Sequence, residues 1–271
     1  MNYGFFDYKA NISGYYGQDM FSTAHIVFMI SAFLLMAIVC FLTRHASKRA
    51  VDTYLKVLSV AVPIIETSKI VWESYYDIKV FGGQFNYSGL LPLYACSLFI
   101  YSLPLAAWTK GKVKECALSF LTTLGIFCGL TNFIYLNILS TYPLLTSASF
   151  ISIYFHFAMV FTGIFLMTTG YYRPKLKSVL YSMILFSIYA LIVSVVNYAG
   201  NAYFGSDSFD YGFLYSGKTS PILCHDLQAA LGDKLRPLYT AIIIIGYTLP
   251  TAVVYGVEKM IFMLTGRRKV K

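Results

Sequence analysis

The chain has 271 residues, 58% of them hydrophobic and only 12% charged. Soluble domains carry about 25% charged residues, and the apolar residues here form uninterrupted runs that one soluble core could not bury, which excludes an ordinary globular protein. The net charge of +9 does not indicate nucleic acid, because the basic residues sit in short loops between apolar runs, as topology signals do.

The first 19 residues lack the basic start and short apolar core of a cleavable signal, so the first span is expected to act as its own insertion signal. A span needs about 20 mostly apolar residues. In chain order the candidates are Phe21–Leu42, Tyr54–Tyr76, Gly89–Trp108, Val113–Ile138, Ser147–Thr169, Leu176–Phe204 and Leu238–Leu264. Only Gly205–Pro237 is long enough for a structured loop.

Orientation follows from the cations. Arg44, Lys48, Arg49 and Lys56 flank the first span; Lys110, Lys112 and Lys114 follow the third. Arg173, Lys175 and Lys177 follow the fifth, and Lys259, Arg267, Arg268, Lys269 and Lys271 close the chain. All fall on one side if every span is real, and the positive-inside tendency makes that side cytoplasmic. The expected fold is therefore all-α: a polytopic membrane bundle of seven transmembrane helices, N-terminus outside and C-terminus cytoplasmic. It forms a single domain over 1–271, with 205–237 as an extracytoplasmic loop capping any pocket. The expected location is the cell membrane, multi-pass.

Ionisable groups inside a bilayer are costly and are functional candidates by default. The second span carries Glu66, Lys69 and Glu73 at i, i+3, i+7, on one helix face. A structural ion-pair ladder explains them as well as a site for a cation or an anionic headgroup does. The third span carries Cys96 and Ser97, between Pro92 and Pro104. A lone cysteine in an apolar helix is usually inert packing. The fifth span places Ser149, Ser152 and His156 on one face, and the sixth Ser187, Ser194, Asn197 and Asn201. His25 opens the first span at a shallower depth. Four polar stripes at one level point to a pocket in the outer leaflet open to water or headgroups.

Cys96 and His156 lie at matching depths. A thiol is a poor nucleophile until ionised; an imidazole within hydrogen-bond reach accepts its proton, and Lys69 nearby would stabilise the thiolate. The Cys224-His225-Asp226 run is not expected to bind metal, because adjacent side chains diverge. It is expected instead in a loop over the pocket, with Asp226 facing Lys69 or His156. No nucleotide fingerprint is present, and no cofactor or metal is expected.

Several blocks resemble the bacterial YwaF-like integral membrane proteins, which are related to the animal transmembrane protein 164. They are LPLYACSLFIYSLPL at Leu91–Leu105, SIYFHFAMV at Ser152–Val160, YRPKLKSVLYS at Tyr172–Ser182, Val196–Tyr198, DYGFL at Asp210–Leu214, and Leu223–Asp226, with His25 in place as well. The animal relatives are regarded as membrane acyltransferases moving fatty acyl chains between glycerophospholipids. The resemblance implies that Cys96 is the nucleophile and His156 the general base. An oxyanion formed there would need donors, for which Ser97, Asn197 and Lys69 are candidates. Three features depart from the family pattern: Tyr94 stands where many relatives carry histidine, Asp210 where asparagine is usual, and Gly232–Tyr239 replaces a Trp-Pro-rich block. The implied partners are phospholipid and lysophospholipid substrates and membrane lipids, with no nucleic acid. The alternative is an ion-coupled transporter or ligand-binding membrane protein using Glu66, Lys69, Glu73 and His156 as a relay. A third possibility is a sensor or scaffold whose polar stripes only join helices.

Overall fold

The computed structural model describes residues 4–9, 12, 14–15, 17, 19–216 and 222–264. The closing basic cluster Arg267–Lys271 and part of the expected 205–237 cap lie outside the described residues. Ten α-helices account for most of the described chain: α1 (Thr23–Leu42), α2 (Lys48–Tyr75), α3 (Leu98–Trp108), α4 (Gly111–Thr122), α5 (Leu124–Ile134), α6 (Ser147–Thr168), α7 (Leu176–Phe204), α8 (Ile222–Leu231), α9 (Arg236–Gly246) and α10 (Thr248–Leu264). Among the described residues there is no strand.

Among the described residues, five stretches are long and apolar enough to cross a bilayer: Thr23–Leu42, Gly111–Ser140, Ser147–Thr168, Leu176–Phe204 and Asp233–Met263. Helix α2 has the length, but Glu66, Lys69 and Glu73 lower its apolarity; Ala95–Trp108 is apolar but short. The protein is thus a multi-pass membrane protein. Its layering follows from burial. In an apolar 18-residue window of each, 72% of Gly111–Ser140 is buried, against 17% of α1 and 11% of Asp233–Met263. Val27, Leu34 and Phe41 on α1, Leu191 and Val195 on α7, and Leu249 and Val253 on α10 are exposed. An apolar belt of this extent suits acyl chains and not water.

Polar side chains start several helices. Ser22, Ser47 and Thr146 each accept a first-turn N–H, from His25, Ala50 and Ser149. The expected fourth span is broken at Thr123, whose φ −129° and ψ −91° leave the helical region. Thr122 Oγ1 donates to the Leu118 carbonyl and Thr123 Oγ1 to that of Ser119, a back-bonding that competes with the helix ladder. The seventh span is likewise two helices, joined at Tyr247, where Pro250 has no N–H to give the preceding turn.

The third span departs most. A helix is expected over Gly89–Trp108, but helical structure begins only at Ala95, as one 3-10 turn (Ala95–Ser97) leading into α3. Positions 81–94 are irregular, with Gly82 at φ 68° and Pro92 withholding a donor.

Helix α5 lies against α6, with the α4–α5 break beside it. A Cβ at Gly163 of α6 would come within 2.4 Å of Ile126 Cγ1 and 2.6 Å of the Leu121 carbonyl oxygen; one at Gly129 of α5 would meet Val160 at 2.8 Å. Small residues here bring backbones close where no hydrophobic effect drives helices together. Gly163→Ala is therefore expected to lower stability by about 1–3 kcal/mol through overpacking, read as a fall in thermal midpoint in detergent. An unchanged midpoint would mean that the α4–α5 break yields.

Candidate functional site

One end of the bundle holds a cavity of about 950 Å³. Its wall brings together Glu66, Lys69 and Glu73 of α2, Tyr94, Cys96 and Ser97 at the entry to α3, and Ser152 and His156 of α6. These eight residues, each singled out in the sequence, thus share one space.

The irregular approach to Cys96 is fixed by two tyrosines. The Tyr189 hydroxyl, from α7, donates to the carbonyls of Pro92 (3.4 Å) and Tyr94 (3.1 Å). The Tyr211 hydroxyl donates to the Tyr87 carbonyl at 2.5 Å and accepts the Leu91 N–H at 3.2 Å; its ring meets Tyr94 edge-on at 5.1 Å. Backbone outside a helix at membrane depth needs such partners. Because the helix starts late, Cys96 stands in its first turn and not mid-span. A helix N-terminus favours an anion by about 0.3–1 kcal/mol, which suits a thiolate.

His156 is held by one bond. Its Nδ1 lies 2.8 Å from the Ser152 carbonyl oxygen. A carbonyl only accepts, so Nδ1 carries the proton, and in the neutral ring Nε2 is left as a lone pair. Nε2 is buried and has no hydrogen-bond partner, so the Cys96 thiol is not bonded to it in this arrangement.

On α2, Lys69 Nζ lies 3.8 Å from Glu66. Both line the same cavity as Cys96. Glu73 is buried, with Lys69 and Lys9 as its cationic neighbours. Lys9 lines the cavity because Tyr8 beside it docks onto the end of α2: the Tyr8 hydroxyl donates to Asp77 and its ring stacks on Tyr76 at 5.1 Å. Tyr142 also lines the cavity, with its hydroxyl buried beside the Lys9 backbone.

Four expected residues are placed elsewhere. Asn197 Nδ2 donates to the Tyr211 carbonyl and its Oδ1 accepts the Tyr211 N–H, both at 3.0 Å. Asn201 holds Phe209 in the same way, at 2.8 and 2.9 Å. The two amides clamp the segment after α7, and neither residue lines the cavity. His25 is buried in the first turn of α1, accepting the Phe21 N–H at 3.2 Å, outside the cavity. Asp226 is exposed on α8 and does not line the cavity that Lys69 and His156 share. Among the described residues no group of three or more His, Cys, Asp or Glu could hold a metal ion.

Lys9 and Tyr142 went unnoticed in the sequence, since neither lies on a periodic helix face. Cys128, a further lining residue, reads as packing in an apolar run.

The model of the TMEM164 family matches residues 20–253. The chain belongs to the TMEM164 family. No curated protein and no solved structure matches it. In this TMEM164 family member the matched stretch contains every residue of the cavity wall except Lys9.

Tyr211→Phe removes one hydroxyl and two bonds, leaving the Leu91 N–H without its acceptor. The expected cost is about 1–3 kcal/mol, with faster amide exchange at Leu91. Exchange as slow as in the wild type would show that another group holds the approach to Cys96.

Proposed function

We propose that this TMEM164 family member transfers fatty acyl chains between glycerophospholipids through a thioester on Cys96, with His156 as general base. The observation that carries the reading is that Cys96 and His156 line one cavity, with His156 Nδ1 on the Ser152 carbonyl and its Nε2 without a hydrogen-bond partner. The family resemblance points to the same two residues.

In the first step His156 Nε2 takes the Cys96 proton as the sulfur attacks the ester carbonyl of a donor phospholipid. The tetrahedral oxyanion collapses, the carbon–oxygen bond breaks, and the imidazolium returns the proton to the departing lysophospholipid hydroxyl. In the second step the same nitrogen deprotonates the hydroxyl of an acceptor lysophospholipid, which attacks the thioester and releases the thiolate. Water in place of that hydroxyl gives hydrolysis. Asn197 does not line the cavity, and the donors to the oxyanion within it are Ser97, Lys69 and the Tyr142 hydroxyl. The thiol and imidazole close on each other when the substrate seats, as catalytic hydrogen bonds often do.

The same reading places the protein in the cell membrane with seven crossings, N-terminus outside. Helix α2, and α3 with its irregular approach, supply the two crossings beyond the five most apolar stretches. The cavity then opens to the outer leaflet, under the segment 205–237 as its cap.

The test is acyl exchange in liposomes carrying the purified protein, a labelled phospholipid and an unlabelled lysophospholipid. Cys96→Ala is expected to abolish exchange, and His156→Gln to slow it by about 10²–10⁴-fold. Exchange at wild-type rate in Cys96→Ala ends the proposal. Ion-coupled uptake that survives the same substitution would favour the relay of Glu66, Lys69, Glu73 and His156.

A further inference from the structure

A second concavity, of about 840 Å³, opens at the opposite end of the bundle and shares no residue with the Cys96 cavity. Its floor is apolar, with Val51 and Leu118 buried beside Ala107. Its rim is cationic. Lys48 and Lys56 come from the start of α2, Lys110 from the bend before α4, and Lys114 from α4 itself.

One carboxylate lines the groove, Asp52, and it is engaged: the Tyr171 hydroxyl donates to it and Lys114 lies 3.5 Å away. Among the described residues, Lys48, Lys56 and Lys110 have no carboxylate within ion-pair distance. Four ammonium groups around one carboxylate repel one another, and an anion seated among them relieves that repulsion.

Membrane topology alone asks only that lysines lie on this side. Lys112 satisfies it while exposed and away from the groove wall. The other four converge from separate elements on one apolar floor. Backbone donors add to them: α4 begins at Gly111, which lines the groove, and no side chain caps its first-turn N–H groups. Trp108 forms the lateral rim, 61% exposed, with Lys56 Nζ 5.0 Å from its ring and its indole N–H on Ser59 Oγ at 3.0 Å. An exposed indole of this kind marks the boundary between acyl chains and water, so the groove is reachable from the lipid as well as from solution.

We infer that this groove binds a phosphate-bearing anion, carried by a lipid headgroup or by a soluble phosphate ester. The site stands apart from the Cys96 chemistry, and neither depends on the other.

The experiment follows thermal unfolding of the full-length protein in phosphatidylcholine nanodiscs. One arm adds phosphatidic acid to the discs; the other adds glycerol 3-phosphate to the buffer. Stabilisation in the first arm alone identifies a headgroup, and in the second a soluble ester. In the responding arm, the double variant Lys48→Gln/Lys110→Gln is expected to weaken apparent affinity by on the order of 30-fold. Lys112→Gln and the charge-keeping Lys48→Arg/Lys110→Arg should bind as the wild type does. If the double variant loses its own unfolding transition, each single variant gives the same comparison at about fivefold. Stabilisation in neither arm overturns the inference. So does a loss in Lys112→Gln equal to that in the double variant, which would leave only diffuse surface charge.

Discussion

One side-chain amide and two phenols hold the part of the bundle on which the candidate site depends. Asn197, on α7, binds both backbone groups of Tyr211, and the Tyr211 hydroxyl binds the backbone of Tyr87 and Leu91. The chain before α3 is not helical, so its N–H and C=O groups would otherwise be orphaned at a depth where water is scarce. Tyr189 from the same helix supplies the second anchor, at Pro92 and Tyr94. What this network fixes is the place where α3 begins, and hence that Cys96 sits at a helix terminus facing a cavity. A helix continued back to Gly89 would have no such opening and would turn Cys96 into an ordinary mid-span side chain.

The second constraint is the cost of charge on α2. Glu66, Lys69 and Glu73 share a face that a lipid-exposed helix could not carry cheaply. They are tolerated because that face is turned to a polar space, where Glu66 and Lys69 pair and Lys9 arrives from the N-terminal segment as a further cation. The arrival of Lys9 rests on the aromatic docking of Tyr8 against Tyr76 and Trp72. Apolar packing at the mouth thus sets the electrostatics of the interior.

The regular helices were legible in the sequence because apolar runs of bilayer length leave little choice. The expected Leu176–Phe204 coincides with α7, and Ser147–Thr169 and Phe21–Leu42 differ from α6 and α1 by a residue or two. The interrupted spans were not legible. Hydropathy cannot tell a buried coil from a buried helix, so the irregular approach to α3 read as span, and the break at Thr123 depends on hydroxyl back-bonds that leave no mark on apolarity. The polar stripe of α6 does reach the cavity through Ser152 and His156. The stripe of α7 does not, because spacing gives the face of a residue and not its partner, and Asn197 and Asn201 spend their amides on backbone. Lys9 and Tyr142 are joined to the site across long sequence separations, for which one sequence carries no periodic sign.

Helix α2 forms a wall of both concavities, with Asp52 at one and Glu66 at the other. Fourteen residues separate them, about 21 Å along a helix. Pro63 lies between, and its missing N–H interrupts the hydrogen-bond ladder that would join the two halves. No side chain lines both spaces. Sites so far apart without shared partners respond to substitution nearly independently, so the lysine groove and the Cys96 cavity can be taken apart one at a time. A loss of acyl transfer on removing Lys48 and Lys110 would then require the two halves of α2 to move as one body, despite the proline that divides them.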